Sequence, residues 1–145
     1  MTRPISKIIT ILLSAALAAA CDAGFLDVRR NVMNGDGILI INGTVSDSSD
    51  ESPVEGIRII FEVFPTKGSG RPLLTQTEYT SSKGVYMIRA EGFSDDVSCT
   101  LTAVDEKGIY SDCANRINVT WSGTAYDKSS NTIAVNGCNF HHERR

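Results

Sequence analysis

Histidine is almost absent. Two occur in 145 residues, side by side, as His141 and His142. Nucleophilic catalysis needs a base held within reach of a Ser or Cys and oriented by an acid. The closing run HHERR reads as a solvated tail, which holds no base in fixed geometry. Neighbours in an extended tail also point opposite ways, so the pair makes a poor metal site. No two cysteines stand in a CxxC spacing, which leaves a zinc cluster unsupported. Long basic runs are missing too. Arg29-Arg30 and Arg144-Arg145 are the short exceptions, so nucleic acid is not an expected partner. No repeat of fixed period is found, and beyond the first 25 residues no 3.6-residue periodicity is sustained.

What the chain does have begins at its start. Arg3 and Lys7 precede an uncharged, mostly apolar run of 13 residues (8–20) that ends in Ala18, Ala19 and Ala20. A positive region, a short apolar run and small residues, in that order, form a secretory leader, and the run is too short to span a bilayer. The stretch Leu17-Ala18-Ala19-Ala20-Cys21 is similar to a bacterial lipobox, with Ala18 where Leu is usual and Leu17 one place back. The expectation is cleavage before Cys21 and lipidation of that residue, giving a membrane partner through a lipid anchor. The alternative is ordinary cleavage after an Ala-x-Ala site. Removing residues 1–20 takes away two cations and no acids, leaving 12 cations against 17 acids, a charge of −5.

Residues 21–37, ending Asn34-Gly35-Asp36-Gly37, read as a tether. Two strands follow. Leu39, Ile41, Gly43 and Val45 alternate with Ile38, Ile40, Asn42 and Thr44. Further on, Ile57, Ile59, Phe61 and Val63 alternate with Arg58, Ile60, Glu62 and Phe64. A period of two is the signature of a strand, and the polar stretch between them reads as a hairpin loop. Further strands are expected at 73–80, 85–90, 97–104, 116–121 and 132–140, the last broken by Asn136-Gly137. Residues 109–115 are ambiguous. Short strands punctuated by Gly, Ser and Asp predict an all-β fold, a seven-stranded antiparallel sandwich over 38–140 with a tail at 141–145.

Three cysteines remain in the body. In an oxidising compartment one bridge is favoured, Cys113 with Cys138, which lie near turn-like residues. Closing that loop contributes about 3 kcal/mol. Three free thiols are the alternative. Cys99 alternates with Val97 and Leu101 and reads as a buried strand thiol.

Other candidates have plain readings. Asp47, Asp50 and Glu51 offer oxygen ligands for calcium, but the spacing is not that of an EF-hand and a solvated hairpin is the better account. Asp95-Asp96 and Asp105-Glu106 read as solvated turns. Trp121 is in phase with Ile117 and Val119, which favours the core. A Trp121–Tyr126 platform for sugar stacking is the competing reading. No metal and no cofactor are expected.

Asn42-Gly43-Thr44-Val45-Ser46-Asp47, then Ser52-Pro53-Val54-Glu55-Gly56-Ile57, then Thr80-Ser81-Ser82-Lys83-Gly84-Val85-Tyr86 resemble the motifs of carboxypeptidase regulatory-like domains. That resemblance implies a transthyretin-like (prealbumin-like) sandwich. Adding Cys21-Asp22-Ala23-Gly24 and the turn Asp105-Glu106-Lys107-Gly108, the chain resembles lipoproteins of Bacteroidetes-type bacteria associated with radical SAM enzymes. The resulting expectation is a non-catalytic lipoprotein, lipid-anchored in the bacterial cell envelope. It would act as an accessory binding, assembly or adhesion module, with a radical SAM enzyme or envelope protein as partner. The alternatives are a modification substrate of a radical SAM enzyme and a carbohydrate-binding surface lipoprotein.

Overall fold

In a computed structural model, residues 32–67, 70–121 and 126–145 are described. The leader, Cys21 and most of the expected tether lie outside these residues. The described part is an all-β sandwich, as the alternating patterns predict. Its strands are β1 (Gly37–Asp47), β2 (Arg58–Pro65), β3 (Leu74–Tyr79), β4 (Val85–Phe93), β5 (Val97–Val104), β6 (Cys113–Val119), β7 (Tyr126–Asp127), β8 (Thr132–Val135) and β9 (Phe140–His142). One sheet has the order β4-β1-β8-β7, with β9 also on β1. The other has the order β3-β2-β5-β6.

The core follows from the period of two. Leu39, Ile41 and Val45 of β1, with Tyr86, Ile88 and Ala90 of β4, turn inward from one sheet. Ile59, Phe61 and Val63 of β2, with Val97, Cys99, Leu101 and Ala103 of β5, turn inward from the other. Each large apolar side chain so buried contributes roughly 1.5–3 kcal/mol. Cys99 is indeed a buried strand thiol, and burial pushes its pKa up to about 12.

The expected hairpin between the first two strands is corrected. β1 and β2 lie in different sheets. β1 pairs antiparallel with β4 and parallel with β8 and β9, while β2 pairs with β3 and β5. Alternation specifies strand conformation and an inward face, but both edges of a strand are open to any partner. The expected seventh strand divides into β8 and β9, which flank successive parts of β1.

The motif residues, distant in sequence, come together where the chain crosses between sheets. Val45 N–H donates to the carbonyl of Gly84 (2.7 Å), and Val54 N–H to that of Val45 (3.0 Å). The buried Thr80 accepts Ile57 N–H at its Oγ1 (2.9 Å) and donates to the Val54 carbonyl (2.7 Å). Gly84 has φ +69°, and a Cβ there would stand 2.5 Å from the Val45 oxygen. The position therefore requires glycine for both conformation and space.

The last five residues are not a tail. Phe140–His142 forms β9 beside Val45, Ser46 and Asp47, and Tyr110 bridges to Arg144. The cause is burial: Phe140 and His142 both point into the sandwich.

Candidate functional site

A cleft of about 650 Å³ opens at one end of the sandwich. Four separate pieces of chain build it. Gly35 and Asp36 precede β1, Phe93 and Ser94 end β4, Trp121 follows β6, and Tyr126 to Asn131 form the β7–β8 hairpin. The segment before β1 is fixed by backbone hydrogen bonds. Gly35 N–H donates to Gly92 O (3.2 Å), and Ser94 N–H to Val32 O (2.9 Å). Val32 is itself buried, so the end of the expected tether belongs to the domain.

Aromatic rings line one side. Trp121 stacks on the buried Phe93 with centroids 5.7 Å apart and meets Tyr126 edge-on at 5.7 Å. Gly37 makes the packing possible, since a Cβ there would stand 2.8 Å from the indole. Asp96 accepts the Trp121 backbone N–H at 2.8 Å, which anchors the residue as the chain leaves β6. Asp96 therefore has a structural task that its reading as a solvated turn did not include.

The rest of the lining is polar and internally bonded. Tyr126 O–H donates to Asn131 Oδ1 (2.7 Å), and Asn131 Nδ2 donates to Asp36 Oδ1 (2.6 Å). Asn131 sits at φ +51°, a conformation Asn tolerates better than most residues, and its carbonyl accepts Ile38 N–H (2.9 Å). Ser129 and Ser130 hydroxyls donate to Asp127 (2.7 and 2.9 Å), which holds that carboxyl below the ordinary range and stiffens the hairpin. Lys128 and Ser129 complete the rim. The arrangement places aromatic rings beside hydroxyl, amide and carboxylate groups. That combination suits a flat ligand bearing many hydroxyls.

The two sequence readings of Trp121 both capture part of the outcome. The residue is half-buried, in phase with the core, and also faces the cleft with Tyr126. Asn131, Asp36 and Lys128 were not anticipated. An Asn in a Ser- and Asn-rich turn gives no sign of its distant partner.

A second polar cluster lies elsewhere. Asp47, read as part of a solvated loop, is fully buried. Its carboxylate accepts Ser49 Oγ–H (2.5 Å) and N–H (2.8 Å), Tyr110 O–H (2.8 Å) and Arg144 Nε–H (2.7 Å). Hydrogen bonds from Ser49, then Arg144, hold it well below the usual carboxylate range. It is on the inward side of β1, so alternation continues two residues further than the loop reading allowed. Asp105 is also buried. Burial alone would raise its pKa, but the backbone N–H groups of Lys107, Tyr110 and Ile109 outweigh that and lower it. Asp50 and Glu51 remain exposed, with Asp50 occupied by Ser52.

Cys113 and Cys138, expected as a bridge, are free thiols. Cys113 pairs with Ala103 in one sheet, while Cys138 runs beside β1 in the other, where its carbonyl accepts Tyr86 O–H. Turn-like neighbours showed where each lies along the chain but not that different sheets carry them. Among the described residues, no three His, Cys, Asp or Glu side chains gather into a metal-holding group.

No family model and no curated protein matches the chain. Solved structures do. The chain superposes on 3-chlorocatechol 1,2-dioxygenase from Rhodococcus opacus 1CP with TM-score 0.53 and 11% identity, over 77% of this chain and 61% of that one. Catechol 1,2-dioxygenase from Acinetobacter radioresistens gives 0.50 and 14%, over 76% and 53%. The major plantain pollen allergen Pla l 1 gives 0.52 and 15%, over 75% and 95%. The chain thus spans about three fifths of the Rhodococcus enzyme and half of the Acinetobacter one. These neighbours correct the expectation that the chain is not an enzyme. That expectation leaned on the missing catalytic constellation and on a regulatory-like sandwich, yet enzymes share this architecture. At such identities the likeness establishes one thing, a β-sandwich fold common to dioxygenases, an allergen and this chain.

Proposed function

We propose that this chain is a bacterial envelope lipoprotein, anchored through acylated Cys21, whose β-sandwich binds a hydroxyl-rich, sugar-like ligand in the Trp121–Tyr126 cleft. The observation that carries the binding reading is the cleft itself, lined by stacked aromatic rings next to the Tyr126–Asn131–Asp36 hydrogen-bond chain. The sequence of positive charge, apolar run and small residues before Cys21 supports the anchor. With acyl chains contributing about 0.8 kcal/mol per buried methylene, a multiply acylated terminus would hold the domain at the membrane. The convergence of Val45, Val54, Thr80 and Gly84 supports the resemblance to carboxypeptidase regulatory-like domains.

Isothermal titration with a panel of oligosaccharides tests the binding. Saturable binding that Tyr126→Ala and Asn131→Ala each weaken at least tenfold, with the folded fraction unchanged, is the expected result. Silence across the panel, or binding indifferent to both substitutions, overturns it. Mass spectrometry of the mature N-terminus tests the anchor, and an unmodified Cys21 refutes it.

The narrower likeness motivates a second reading, in which the chain is the substrate of a radical SAM enzyme. That likeness rests in part on the turn at Asp105–Gly108, where the Asp105 carboxylate accepts three backbone N–H groups. A native intact mass equal to that of the unmodified lipidated chain removes this reading.

A further inference from the structure

His142 is a fully buried imidazole with no hydrogen-bond partner among the described residues on either ring nitrogen. Tyr110 and Phe140 meet the ring edge-on, with centroids 5.9 and 6.3 Å away. A neutral imidazole presents one donor and one acceptor, and a protonated one presents two donors and a charge. This site accommodates the first poorly and the second worse. His142 ends β9, a three-residue strand held against β1 by its parallel pairing and by Ser48 N–H donating to His142 O (2.9 Å).

We infer that β9 is an acid-released clasp, in which protonation of His142 detaches residues 140–145 from β1 and from the segment around Tyr110. The groups around the ring leave it as the trigger. Asp47, its strand partner on β1, is occupied by Ser49, Tyr110 and Arg144. Asp105 is saturated by backbone N–H groups, and Asp112 lies 3.7 Å from Arg145 in an ion pair. Asp105 and Asp112 pull the His142 pKa upward, but burial outweighs them and lowers it. His141, on the opposite face, bonds Ser46 Oγ at 2.9 Å, and Glu143 is exposed. Asp47 itself stays ionised throughout this range, so the Asp47–Arg144 pair does not open first.

The sign follows from linkage. Above about pH 6.5 the ring is neutral whether docked or released, and pH has no effect through it. Below that, the released form takes up a proton that the docked form resists. The released population therefore rises as pH falls below that point, and levels off once the docked form protonates too.

Hydrogen exchange of the full chain, read as protection factors at pH 7.5 and pH 5.0, tests this. Amides of 108–112 and 140–145 and of Ser48 should lose protection at pH 5 while those of β2 and β5 keep theirs. His142→Phe, or His142→Leu where the larger ring does not fit, should abolish the difference. Equal protection at both pH values, loss spread evenly over β2 and β5, or an unchanged response in a folded His142 variant would each overturn the inference.

Discussion

Asp47, the last residue of β1, holds Arg144 at 2.7 Å across 97 positions of sequence. The carboxylate is fully buried, while the guanidinium is more than half exposed. The two partners therefore differ in what their loss costs. Arg144→Ala should lower Tm by only about 2–4 °C, because solvent screens the exposed cation. Asp47→Ala strips Ser49, Tyr110 and Arg144 of their common acceptor and should lower it by about 8 °C or more. The double variant should match Asp47→Ala, and strict additivity would sink the pairing. The pH dependence of this cluster is separate from that of His142. A carboxyl depressed on folding adds stability that is complete above about pH 4 and is lost as pH falls below it.

Gly43 tests how the break between β8 and β9 docks. A Cβ at this position would overlap the Cys138 carbonyl and approach the Tyr86 hydroxyl, whose own bond to that carbonyl is 2.5 Å long. Gly43→Ala should therefore push residues 136–139 off β1 and cost about 2–4 kcal/mol in urea unfolding. Gly108→Ala is the comparison. It has φ +73° but nothing within 4 Å of the added carbon, so backbone strain alone should cost about 1–2 kcal/mol. Equal losses would show that Cys138 does not pack there.

The thiols give a third check. Cys99, Cys113 and Cys138 are free, and burial raises the pKa of each. Folded protein at pH 8 should react slowly with a thiol reagent. Denatured without reductant, it should show three reactive thiols besides Cys21. Only one would mean that the sequence-based bridge forms after all.

Strand positions and the inward face were legible in the sequence because pleating is local. Ile59, Phe61, Leu101 and Ile41 announce themselves by alternation. Pairing was not legible. The apparent hairpin of β1 and β2 failed because a Ser- and Asp-rich connection is as compatible with crossing between sheets as with turning back. β7 and β9, two and three residues long, are too short to show a period. Asp47 and His142 were misread for one reason: polar side chains are ordinarily exposed, and here tertiary pairing and packing override that preference. In the cleft, Trp121 and Tyr126 could be named from their residue types. Asp36 and Asn131, 95 positions apart, could not.

The parallel placement of β8 and β9 along β1 orders events during synthesis. Until residues 132–142 have emerged, the first strand is flanked on one side alone, its other edge bare and its Asp47 carboxylate without Arg144. A chain made from its N-terminus therefore cannot complete this sheet until nearly all of it has been synthesised.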